Sequence, residues 1–96
     1  MKTALGMVLI TEDEIRRRIA ESLPGSEVEV QDMTGTGDHF EAWVVSAAFS
    51  GKPMIEQHQL VYRPLQDLLR TGELHALALK TYTPEQWKAE RVRKSP

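Results

Sequence analysis

Three histidines are the residues in this 96-residue chain best suited to chemistry near neutral pH, because imidazole changes charge there and binds metals when neutral. His75 opens the apolar run LHALALKTY, where a sheet would be served as well by leucine or valine. His39 closes the turn-rich segment TGTGDH, and His58 stands between Gln57 and Gln59 in a stretch of helical spacing. Taken singly, each is more commonly a packing, capping or solvated residue. The chemical alternative for His75 and His39 is a metal ligand. His58, followed by Leu60, Val61 and Tyr62, reads as structural.

What the chain lacks narrows the chemistry further. It contains no cysteine, so it builds no disulfide, no zinc or iron–sulfur site from its own thiolates, and no thiol nucleophile. No serine, histidine and acid form a nucleophile elbow, and TGTGD has neither the spacing nor the following helix of a phosphate-binding loop. The acids fall on surface-patterned positions. Enzymatic activity is therefore the least supported class, and the expectation is a protein that makes and breaks no bonds itself.

The elements that must position these residues follow from periodicity and punctuation. TEDEIRRRIAESLPG predicts a helix: Thr11 and Glu14 have the spacing of a capping box, Ile15, Ile19 and Leu23 form one apolar stripe, and Pro24-Gly25 ends it. SEVEVQDM alternates as a half-buried strand over 27–33, and FEAWVVSAAF predicts a second strand over 40–49. The short glycine-containing loop between them predicts an antiparallel hairpin. Helical spacing resumes at Met54 and is split at Pro64, whose ring removes an amide and clashes with the preceding turn. PLQDLLRTG gives a short further helix ending at Gly72, and LHALALKTY a third strand. Alternation along that strand predicts His75, Leu77 and Leu79 on one face, with Leu74, Ala76 and Ala78 on the other. Thr83-Pro84-Glu85-Gln86 starts a last helix.

The order α-β-β-α-α-β-α predicts an α+β domain, a three-stranded sheet with helices packed on one face. Length allows one domain: an N-terminal extension over 1–10, the domain over 11–92 and a short tail over 93–96. MKTALGMVLI resembles a signal peptide only superficially, since TEDE follows at once without a cleavage pattern, and Met7 is a second plausible start. No segment has the length of a membrane span. A cytoplasmic location is expected, and the absence of cysteine fits a reducing compartment.

The formal net charge of −2 is unevenly spread. Residues 11–41 hold nine acids against three arginines, whereas the segment from Pro84 onward holds four bases against two acids. A nucleic-acid binder usually carries a basic footprint over the whole domain. The element order also raises RNA-binding KH domains, but the junction between the two middle helices, VYRPLQDLL, has no Gly-x-x-Gly clamp.

HFEAWVVSAAFSGKPMIEQHQLVYRPLQDLLRTGELHALALKTYTPEQW, over 39–87, resembles the BolA family. The resemblance is carried by FSGK, HQLVY and, most specifically, LHALALKTYTPEQW, with the GDHF segment similar to the IbaG-like branch. It implies a KH-like (type II) fold and a heterodimer with a monothiol glutaredoxin that shares a [2Fe-2S] cluster. In that arrangement glutaredoxin and glutathione give thiolates and the BolA-like chain gives the histidine that maps onto His75. The resemblance implies a second ligand from the first hairpin loop. His39 is the candidate for it, although Thr36 stands nearer the usual position. A chain without cysteine can then take part only by giving imidazoles to one iron, as in Rieske centres, while thiolates from elsewhere hold the other. Histidine must be deprotonated to bind, which couples such a site to protons. The role implied is iron–sulfur cluster assembly or trafficking, or iron and redox signalling.

Some BolA-like proteins are described as DNA-binding transcription regulators, which gives the alternative function. Their middle helix commonly carries RHR where this chain has QHQ at 57–59, and two lost arginines remove two phosphate contacts. Lys52, Arg63, Arg91, Arg93 and Lys94 are the bases left for such an edge. Tyr82 and Trp87 are expected to pack the last helix.

Overall fold

The computed structural model describes residues 10–35 and 39–94, and for 91–94 the backbone alone. Its elements run α1 (Glu12–Ser22), β1 (Glu27–Asp32), β2 (His39–Val45), α2 (Met54–Tyr62), α3 (Gln66–Thr71), β3 (Ala76–Tyr82) and α4 (Pro84–Lys94). Short 3-10 turns at Ala47–Phe49 and Arg63–Leu65 precede α2 and α3. The α+β, KH-like order predicted from the sequence is the order observed.

The sheet is mixed, in the order β1-β2-β3. β1 and β2 form the antiparallel hairpin, with Val30 opposite Ala42 and Glu29 opposite Trp43. β2 and β3 run parallel, so the chain must cross over between them, and α2 and α3 are that crossover. The core lies on the face that presents Val30, Phe40, Ala42 and Val44 to Ile15, Ile19, Val61, Leu65 and Leu68. Ile10, just ahead of α1, and Leu74, just ahead of β3, are buried in it as well.

Local chemistry explains the boundaries. The Thr11 hydroxyl accepts from the Glu14 amide (3.1 Å), but the Glu14 carboxylate turns to Arg17 and Arg18, so only half of the predicted capping box forms. The Thr83–Gln86 box closes in both directions, at 3.2 and 2.9 Å. The second strand ends at Val45 rather than Phe49. Ser46 captures the Ala48 amide with its hydroxyl (3.0 Å) and turns the chain, which buries Phe49 completely. Proline 64 splits the middle helices as expected, and Gly72 ends α3 with φ +86°, a left-handed conformation that glycine adopts without a Cβ clash. No described helix is long and apolar enough to cross a membrane.

Candidate metal centre

His39 opens β2, and the ladder on each side fixes its backbone. Its carbonyl accepts from the Met33 amide at 2.8 Å, closing the hairpin, and its Cα partner in β3 is Ala76. His75 is the residue immediately before Ala76. The parallel pairing thus carries two imidazoles 36 residues apart in sequence to the same end of the sheet, and both side chains are exposed. Met33, Thr34 and Gly35, from the described part of the hairpin loop, lie at that end too. Asp32 shapes the turn by accepting from the Gly35 amide at 2.9 Å and the Thr34 amide at 3.2 Å. Thr36 lies outside the described residues.

The placement of His75 differs from the alternation expected for a strand starting at Leu74. β3 begins at Ala76, and Leu74 is only 1% exposed. Leu74 anchors the turn after α3, where its amide donates to the Leu68 carbonyl at 3.1 Å. His75 therefore stands between a buried anchor and the first paired residue, outside the pleat that places Leu77 and Leu79 against the core. Such a position is fixed at both ends and open to solvent.

A residue not singled out from the sequence supports this end of β3. The Tyr62 hydroxyl donates to the Leu77 carbonyl at 3.1 Å, tying the end of α2 to the strand two residues beyond His75. Its sequence signals were membership of HQLVY and its place among the apolar neighbours of His58. His58, one turn earlier, meets the Tyr62 ring edge-on with centroids 6.4 Å apart, which agrees with a structural role.

The remaining basic candidates fall on separate elements. Lys52 precedes α2 and Arg63 follows it, so nine helical residues, about 14 Å, separate them. Arg91, Arg93 and Lys94 lie on α4. Gln57, the first residue of QHQ, is buried: it accepts from the Thr81 hydroxyl at 2.6 Å and donates to the Lys52 carbonyl at 2.8 Å.

The comparisons with known proteins agree with this architecture. Residues 19–86 match the family model for BolA-like proteins. The chain belongs to the BolA family. It is 38% identical to mouse BolA-like protein 2 over 84 residues, covering 85% of this chain and 95% of that one. It is 33% identical to the acid stress protein IbaG of Escherichia coli over 79 residues, 82% of this chain and 90% of the relative. A BolA homologue from Coxiella burnetii superposes with a TM-score of 0.71 at 34% identity, covering 83% of this chain and 99% of the other.

As a donor set, His39 and His75 suit a site completed from outside. Among the described residues no three His, Cys, Asp or Glu side chains come together as a metal-binding group. Two exposed imidazoles at one sheet end match what a cysteine-free chain can give to one iron of a shared cluster, with thiolates supplied elsewhere.

Proposed function

We propose that this protein is the BolA-like partner of a monothiol glutaredoxin, contributing His75, and His39 beside it, to a shared [2Fe-2S] cluster. Thiolates of glutaredoxin and glutathione complete the coordination. The observation that carries this reading is the β2–β3 register, which sets His39 opposite Ala76 and so brings both histidines to one end of the sheet. The exposure of both imidazoles supports it, since a partner must reach them. When bound, the cluster supplies an iron–sulfur unit for transfer or for sensing. The chain's own residues orient the ligands: Leu74 and Tyr62 fix the start of β3 from either side of His75, while the Met33–His39 bond fixes the start of β2. The role follows as cluster assembly or trafficking, or iron and redox signalling.

The test mixes the protein with a monothiol glutaredoxin, glutathione, iron and sulfide and records visible circular dichroism. A spectrum distinct from that of the glutaredoxin homodimer is expected. His75→Ala should abolish it, and His39→Ala should alter it. A spectrum identical to glutaredoxin alone, or one indifferent to His75→Ala, would overturn the proposal and turn attention to DNA binding by the apo chain.

A further inference from the structure

The far end of the sheet carries a second constellation, on the face turned away from the core. Trp43 on β2 stands across from Glu29 on β1, and two residues on, Val45 stands across from Glu27. On β3, Tyr82 shares this face and packs against Trp87 of α4, with ring centroids 5.0 Å apart and planes inclined at 52°. Trp43, Trp87, Glu27, Glu29 and Arg16 line one groove of about 320 Å³. Both indoles are half-buried and both glutamates exposed.

The charges do not cancel within the groove. Arg16 is already engaged by Asp13 on its own helix. Elsewhere on the same face Glu41 is held by Lys80 at 3.2 Å. The side-chain carboxylates of Glu27 and Glu29, by contrast, have no ion-pair or hydrogen-bond partner among the described residues. Two carboxylates that outnumber the single Arg16 in the groove, beside two indole rings, are the complement of a cation. An indole face attracts a cation through its quadrupole, and carboxylates add charge-assisted hydrogen bonds. Arginine suits both demands better than lysine, because its planar guanidinium stacks on a ring while its fork of N–H donors meets carboxylates.

We propose that this groove binds a basic segment of a partner polypeptide, seating an arginine side chain between Trp43 and Trp87 with its guanidinium on Glu27 and Glu29. The site is independent of the histidine pair. His39 and Trp43 are four residues apart along β2, about 13 Å, and the groove opens beyond Trp43. A partner holding both ends would therefore span the length of the sheet.

The chain has two tryptophans, so a ¹⁵N-labelled sample shows two indole N–H signals, assigned by Trp43→Phe. The probe is the peptide acetyl-Gly-Arg-Gly-Arg-Gly-amide, compared with the same peptide bearing citrulline for arginine. Saturable shifts of both indole signals with the arginine peptide alone are expected. Binding should weaken about tenfold or more in Glu27→Gln/Glu29→Gln, whose exposed substitutions leave the fold intact, and should weaken with salt as charge-assisted contacts do. Equal response to the citrulline peptide, no saturable shift, or indifference to the double substitution would overturn the proposal. Indole shifts that depend on protein concentration without peptide would assign the groove to a second copy of this chain and overturn it equally.

Discussion

At the scale of single residues, the polar groups that matter are those joining segments distant in sequence. Tyr62 and Leu77 are 15 residues apart, and Gln57 and Thr81 are 24 apart; the first pair ties α2 to β3 through one side chain and the second through two. Tyr62→Phe removes only the hydroxyl, so it should cost about 1 kcal/mol of stability by chemical denaturation and leave the Leu77 carbonyl unpaired at that contact. If Tyr62 also steadies the strand behind His75, the same variant should weaken the mixed-complex visible spectrum without abolishing it. An unchanged spectrum would confine Tyr62 to stability. None of this was legible beforehand, because a hydroxyl or amide in a helix announces no partner in a strand not yet placed. His75 itself was legible as a candidate, but its surroundings were not: alternation assumed that Leu74 was already in the strand, whereas burial pulls Leu74 into the core.

At the scale of elements, punctuation was the most readable signal. Proline 64, Gly72 and the Thr83–Gln86 box each act through the chemistry of a few adjacent positions, and each is observed where the sequence put it. The apolar run after Val45 misled because Phe49 is hydrophobic for core packing rather than for strand pairing. α1 shows how one side chain can be drawn from its expected local task. Glu14 leaves the cap to Thr11 and receives the guanidinium groups of Arg17 at 2.6 Å and Arg18 at 3.0 Å. Arg18 reaches on to Asp67 at 3.1 Å, linking α1 to α3. These contacts, Arg17 first and then Arg18, hold the Glu14 carboxyl below its ordinary value of 4.5. A carboxyl lowered on folding stabilises the native state above its unfolded value, and that contribution is lost as the pH falls through the lower folded value. Glu14→Gln should therefore be less stable than the parent at pH 7, and the difference should shrink as the pH drops below about 4.5, read by urea unfolding at a series of pH values. A difference independent of pH would assign the effect to geometry alone.

At the scale of the whole molecule, the fold class was readable because hairpin, crossover helices and final strand leave distinct periodic signatures. The open-face groove was not, since Trp43 and Trp87 come together only through the hairpin register and the return of α4. The same is true of the histidine pair, and it has a consequence for how the protein assembles. The closure that makes the candidate metal centre is the parallel docking of β3 on β2, a pairing whose first partners, His39 and Ala76, are 37 residues apart. Non-local pairings are slow to form because loop entropy is lost before contacts compensate. Anything that grips both imidazoles at once acts as a clasp across that loop. Partner and cluster together should slow hydrogen exchange along 76–82 and raise the thermal midpoint, and removal of iron by a chelator should return both to their apo values. On the proposed role, a bound cluster would double as a fastener: the loaded chain would be harder to unzip than the empty one, and a protease or chaperone sampling the open crossover could tell the two apart.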